Sequence, residues 1–176
     1  MEIRDQLGRQ LQLKSTPKRI ISLVPSQTEL LVDLGLEENI LGITKFCVHP
    51  KRLRKIKKIV GGTKSVHLDR IQALKPDIIL CNKEENTKEM VAALEAIAPV
   101  HVADISNLQE ALELMLQYGE IFQKQKPAEI LVRNIQQKLE DLKQKNKEKR
   151  PKKVAYLIWK DPFMAAGKGT FIDELL

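Results

Sequence analysis

The sequence has little that would brace a small protein covalently or give it an aromatic binding face. It holds two cysteines, Cys47 and Cys81, in 176 residues, too few for a disulfide scaffold. Neither lies in a Cys-x-x-Cys pair, and a single bridge between them stays open. Aromatic residues are scarce at 4%, with one tryptophan, which argues against a base-stacking surface for single-stranded nucleic acid. No apolar run approaches the roughly 20 residues of a bilayer-spanning helix. Met1–Leu13 alternates polar and apolar residues and lacks the long apolar core of a signal peptide. As written, the chain is expected to be soluble, without an export signal and not inserted in a membrane.

What is present is the composition of a globular protein, 43% hydrophobic and 30% charged, which excludes wholesale disorder. The formal charge of +7 is local. Residues 124–153 hold 11 basic and 4 acidic side chains, and the remainder of the chain balances. The Lys-rich 138–153 stretch would suit nucleic acid or anionic lipid, but a solvated helix face is the commoner reading. No nucleic-acid partner is expected. A smaller block, Lys45–Lys58, carries seven basic residues and no acid.

Met1–Leu13 reads as a hairpin turning at Leu7-Gly8. Arg19–Val24 is a continuous apolar, β-branched run, the mark of a strand buried on both faces. Pro25 stops it, and Ser26 or Thr28 is a candidate cap for a helix through Leu34 that Gly35 closes. The cassette recurs: strands at Ile40–Phe46, Val60, Asp77–Cys81 and Val100–Val102, with helices at Leu68–Leu74, Thr87–Ala96 and Asn107–Phe122. Such alternation predicts an α/β fold, a parallel sheet with helices on both faces. From Pro127 a narrow stripe of Ile130, Leu131, Ile135, Leu139 and Leu142 predicts a helix of about 20 residues, roughly 30 Å long, ended by Pro151. A strand at Val154–Trp159, a Pro- and Gly-rich loop and a helix start at Thr170–Leu176 follow. These last elements are too little for a second core.

The stretches RIISLVPSQTELLVDLGL (19–36), GITKFCVHP (42–50), VGGTKSVHLDRIQALKPDIIL (60–80), NKEEN (82–86) and IWKDPFMAAGKGTFIDELL (158–176) together carry a resemblance. The chain resembles the substrate-binding proteins of ABC importers for vitamin B12, siderophores and haem, the class with a helical backbone between two lobes. It is most similar to the cobalamin-binding-protein-like branch. The resemblance implies an N-terminal α/β lobe (1–123), a bridging backbone helix (124–152) and the start of a C-terminal lobe (153–176) whose remainder is missing. It implies a binding protein rather than an enzyme, without a resident cofactor. Its partners would be an importer permease and a corrinoid or metal-chelate ligand: cobalamin, haem or a ferric siderophore. The implied compartment is the periplasm or cell envelope; the absent signal peptide keeps a cytoplasmic carrier of the same fold open.

Ligands of open parallel sheets bind outside the carboxyl ends of the strands. The residues expected there are Pro25, Ser26 and Gln27, then Phe46, Cys47 and His49, then Gly62 and Thr63, then Asn82 and Glu84. Trp159 and Pro162 are expected to join them from across the bridge. By resemblance Pro25 and Ser26 occupy the first-loop contact and Phe46 an aromatic corrin contact. Thr63 and Asn82 fall where vitamin B12-binding members carry tryptophan, so two stacking platforms are absent. Asp69 stands where a glutamate that docks on permease arginines is usual, with Asp173 or Glu174 as its counterpart; an acid in the first turn of a helix is an equally weighted reading of Asp69.

Three further patterns have bland readings beside their sharp ones. Cys47-x-His49 offers thiolate and imidazole to a metal or a nucleophile to an enzyme, but no third ligand stands nearby, so pocket lining is preferred and no metal site is expected. Glu84-Glu85 resembles an acid/base pair, yet consecutive side chains point apart and helix-entry acids explain them better. Gly167-Lys168-Gly169-Thr170 imitates a phosphate loop, but Pro162 stands where its first glycine belongs and Gly169 where Ser or Thr must follow Lys.

Overall fold

A computed structural model describes residues 1–150 and 152–176; Pro151, expected to end the long helix, lies outside the described residues. The N-terminal hairpin forms as expected from β1 (Glu2–Arg4) and β2 (Gln10–Gln12). Gly8 takes φ +77° in its turn, a conformation glycine adopts without steric penalty.

The apolar runs then build one parallel sheet. Its strands are β3 (Ile20–Ser22), β4 (Ile40–Ile43), β5 (Lys58–Ile59), β6 (Ile78–Asn82) and β7 (Val100–Ala103), in spatial order β5-β4-β3-β6-β7. Side chains along β3 and β6 alternate between two apolar clusters. Ile20, Ile78 and Leu80 enter one, with Leu31, Leu34 and Tyr118; Ile21, Ile79 and Cys81 enter the other, with Ile71, Met90 and Leu94. The first cluster is covered by α1 (Pro25–Asp33) and α5 (Leu108–Ile121). The second is covered by α3 (Leu68–Ala73) and α4 (Lys88–Glu95). The expectation of helices on both faces holds. A short α2 (Leu53–Ile56) was not anticipated, β4 is shorter than the expected Ile40–Phe46, and β5 ends at Ile59, one residue before the expected Val60.

The capping expectation for α1 fails. Its N-cap is Val24, Pro25 occupies the first helical turn, and no side chain caps it. Thr28 instead turns its hydroxyl back onto the Val24 carbonyl at 3.0 Å and the Ser22 hydroxyl at 2.8 Å, a side-chain-to-backbone bond that competes with capping.

The hairpin covers the outer edge of β7. Buried Asp5 accepts from the amide of Val102 at 3.2 Å, and the Gln6 carbonyl oxygen accepts from the amide of Asp104 at 3.1 Å. Arg9 then ties Asp5, Glu95 and the Val100 carbonyl together at 2.8, 2.6 and 2.8 Å. Edge strands need such cover, because their free amides otherwise invite pairing with another chain.

The long helix α6 (Gln125–Asn146) spans 22 residues, about 33 Å. It packs on α5 through its first turns, where Ala128 and Val132 are buried. The stripe read from the sequence is only partly used: Leu131, Ile135 and Leu139 are half-buried, while Ile130 and Leu142 are exposed. The segment after it forms a two-stranded antiparallel ribbon, β8 (Leu157–Lys160) with β9 (Phe163–Ala165), and then α7 (Phe171–Leu175). The strand expected from Val154 starts at Leu157 and is exposed along its length.

Gly119 lets α5 and α6 approach closely, since a Cβ there would meet Ala128 Cβ at 2.7 Å and Gln125 Cα at 3.3 Å. Gly119→Leu should therefore lower stability by roughly 2 kcal/mol through overpacking, seen as a lower urea midpoint at unchanged slope. An unchanged midpoint would show that the two helices are not held by this contact.

Candidate functional site

The strand order places a topological switch between β3, whose chain leaves toward β4, and β6, whose chain leaves toward β7. Crevices at such points, outside the carboxyl ends of the strands, hold ligands in open α/β sheets. A cavity of about 510 Å³ opens at this position. Its floor is the start of α1: Val24, Pro25, Ser26, Gln27 and Leu30. The loop after β6 adds Asn82, Glu84 and Glu85. An apolar wall comes from Ile105, Ala111, Leu114 and Met115 at and along α5, with Phe171 of α7.

The floor is held by a buried hydrogen-bonded chain. The Gln27 amide donates to the Cys81 carbonyl at 3.0 Å, and its carbonyl oxygen accepts from the Tyr118 hydroxyl at 3.0 Å. Tyr118 is fully buried and packs edge-on against His101 and Phe122, with ring centroids 5.4 and 5.6 Å apart. Burial raises its hydroxyl well above the ordinary range, so it stays a donor. Satisfied on both sides, the Gln27 carboxamide cannot turn over without leaving a buried polar group unpaired. With no side-chain cap on α1, the amides of Ser26 and Gln27 have no intrahelical partner and face this region.

Asn82 shapes the opposite rim. Its side-chain oxygen accepts from the amides of Glu84 and Glu85 at 2.8 and 3.2 Å, while its own amide donates to the Asn86 side chain at 2.8 Å. Asn86 donates onward to the Thr63 carbonyl at 2.7 Å, and the Lys64 ammonium donates to the Glu84 carbonyl. These bonds lash the Gly-Gly loop to the loop after β6. Phe46 lies over Gly62, where a Cβ would sit 3.3 Å from the ring, and the Lys45 ammonium is 5.1 Å from the ring centroid.

Of the residues singled out from the sequence, Pro25, Ser26, Gln27, Asn82 and Glu84 line the cavity. Phe46 and His49 are exposed on the adjoining loop, and Gly62 and Thr63 are buried beside it; none of the four lines the cavity. Cys47 is a correction. It is fully buried, and its thiol sits 3.2 Å from the Thr28 hydroxyl and 3.3 Å from that of Thr44. It belongs to a polar knot in the core, so it lines no pocket, and the alternative of a Cys47/His49 enzyme loses its accessible nucleophile. Trp159 and Pro162 are exposed on the β8–β9 ribbon and also lie outside the cavity lining. Asp69 is exposed in the first turn of α3. No group of three or more His, Cys, Asp or Glu side chains that could hold a metal occurs among the described residues.

Sequence reasoning missed Leu30, Ile105, Ala111, Leu114, Met115 and Phe171. Met115 falls within the helix expected over Asn107–Phe122, but periodicity cannot distinguish the side chains that meet the core from those that meet a crevice. A second cavity, about 360 Å³, lies elsewhere between β2 and the end of α4; Arg9 reaches it already paired with Asp5 and Glu95.

Two measurements check this geometry. Burial pushes the Cys81 thiol up to about 12, and Cys47 is equally enclosed; neither should react with an aromatic disulfide reagent in the native protein, and both should react in urea. Rapid native labelling of Cys47 would contradict its placement. His101 is buried, which lowers its pKa below the ordinary 6.5 against the opposing effect of the hydrogen bond its Nε2–H donates to the Gln117 side-chain oxygen. The unfolded chain then binds the extra proton, so this contribution is full above about pH 6.5 and is lost as pH falls toward the folded value. His101→Phe should flatten that part of the melting-temperature profile between pH 5 and 7, and an unchanged profile would show that His101 carries none of it.

The comparisons with known proteins come to the same fold. A model of the periplasmic binding protein family matches residues 20–176. An uncharacterized ABC transporter substrate-binding lipoprotein of Bacillus subtilis is 29% identical over 99% of this chain and 57% of its own length. A vitamin B12-binding protein of Pectobacterium atrosepticum is 25% identical over 91% of this chain and 59% of its own. The crystal structure of a possible iron-binding, periplasmic solute-binding protein of Staphylococcus epidermidis superposes with TM-score 0.77 at 26% identity, covering 92% of this chain and 65% of that one. The chain thus spans less than two thirds of each. It belongs to the periplasmic binding protein family, whose members are binding proteins and not enzymes.

Proposed function

Proceeding from that membership, we propose that the chain serves as the substrate-binding component of an ABC importer and takes a corrinoid or iron-chelate ligand at the β3–β6 crevice. The single observation that carries this reading is the 510 Å³ cavity at the topological switch point, floored by Pro25, Ser26 and Gln27 and walled by α5. A mixed lining of this kind suits a large ligand with an apolar body and a polar periphery. The named ligands of similar proteins, vitamin B12 and iron, define the class.

In this reading residues 1–123 are the ligand-bearing lobe, 124–152 the backbone helix and 153–176 the start of a second lobe. The exposed apolar side chains of the ribbon, Leu157, Trp159 and Phe163, are what a facing lobe would cover. In this reading Phe46, His49, Gly62 and Thr63 would meet parts of a ligand that extend beyond the cavity, and Trp159 and Pro162 would approach it from the other side. On the same reading Asp69 is the permease-docking acid, supported by its exposure in the first turn of α3. Delivery to a permease places the protein at the periplasmic face or cell envelope, as for the lipoprotein relative.

Absorbance titration of the full chain with cyanocobalamin, haem and a ferric siderophore tests the proposal. Saturable binding of one of the three is expected, and Gln27→Ala should weaken it roughly tenfold by removing the held carboxamide. No binding of any of the three would overturn the reading.

A further inference from the structure

The charge at the cavity runs opposite to the charge of the chain. The protein carries a formal +7, yet the cavity lining holds two carboxylates, Glu84 and Glu85, and no basic side chain. Neither carboxylate forms an ion pair among the described residues. The cations near the rim are directed elsewhere. Lys83 pairs with Asp104 at 2.6 Å, Lys64 donates to the Glu84 main-chain carbonyl, and Lys45 lies over the Phe46 ring. The free amino end of α1 contributes about half a positive charge, which offsets only part of one carboxylate. The other polar residues lining the crevice are Ser26, Gln27 and Asn82, and the main-chain amides of Ser26 and Gln27 at the uncapped start of α1 are donors without an intrahelical partner.

We infer that this cavity selects its ligand by charge, with Glu84 and Glu85 as the specificity-determining residues: it admits neutral or cationic chelates with hydrogen-bond acceptors at their periphery and disfavours anionic ones. The inference rests on the ligand-binding reading above. Its physical basis is that a ligand anion entering an apolar crevice sheds water and meets two carboxylates that no ion pair engages, whereas a cation recovers part of its lost hydration from them. Acceptors such as carboxamide oxygens meet the donors of the α1 floor without bringing charge. Specificity of this kind arises from repulsion of the wrong ligand as much as from attraction of the right one.

The test compares three probes on the full chain by equilibrium dialysis with absorbance detection: diaquocobinamide as cation, cyanocobalamin as neutral chelate and haemin as anion. The variants are Glu84→Gln, Glu85→Gln and the double variant, all at exposed positions where folding should be unaffected. The double variant should weaken diaquocobinamide and strengthen haemin by about threefold to tenfold each, and raised salt should shrink both shifts. Cyanocobalamin serves as the neutral reference against which the two opposite shifts are read. If cyanocobalamin binds but the cation-to-anion ratio is the same in the double variant, charge selection is overturned while ligand binding stands. If wild-type protein takes none of the three probes, the binding reading falls and this inference falls with it.

Discussion

Everything that positions the crevice follows from one constraint: β3 and β6 are buried on both faces. Ile20, Ile78 and Leu80 point into one cluster and Ile21, Ile79 and Cys81 into the other, so both sides of the sheet must be roofed by helices. Parallel strands require crossover connections to reach their next partner, and these supply the roof. Because β3 crosses to β4 on one side and β6 to β7 on the other, the loops that leave them diverge. The space between the diverging loops cannot be filled by either helix layer, and it is where the cavity lies.

A second layer of organisation is polar and sits beneath that space. The Cys81–Gln27–Tyr118 chain fixes the floor, and the Ser22–Thr28–Cys47–Thr44 knot fixes the turn from β3 into α1. Buried polar groups satisfied in this way restrict a segment to one arrangement, since any other leaves donors or acceptors unpaired. The result is a crevice whose depth is rigid while its rim, built from Glu84, Glu85 and Ser26, is exposed to solvent. Net positive charge elsewhere does not contradict this: the excess lies in the segment 124–153, and no basic side chain lines the cavity.

The fold was largely legible because buried parallel strands announce themselves as short β-branched runs. RIISLV and DIILC could hardly be anything else, and the hairpin was equally plain from its alternation and Gly8. Boundaries were less legible, as at β4, where Thr44 leaves the sheet to hold Cys47. The site was half legible. Pro25, Ser26, Gln27, Asn82 and Glu84 follow from the rule that strand ends make the cleft. Cys47 was misread because position in a loop does not say which way a side chain faces, and here two threonine hydroxyls draw the thiol inward. The α5 wall was hidden for a related reason: Leu114 and Met115 carry the same apolar signature whether they meet a core or a crevice. The ribbon of β8 and β9 was read as one strand, because the return strand Phe163–Ala165 lies in a stretch whose Pro and Gly content reads as loop.

The central claim is that the switch-point crevice is the ligand's place. It is tested most directly by methyl-labelled NMR of the full chain during titration with cyanocobalamin. Shifts concentrated at Leu30, Ile105, Ala111, Leu114 and Met115, with Leu11, Ile97 and Val100 of the other cavity unmoved, are the predicted result. Shifts centred on Leu11, Ile97 and Val100, or spread without focus over the surface, would contradict it.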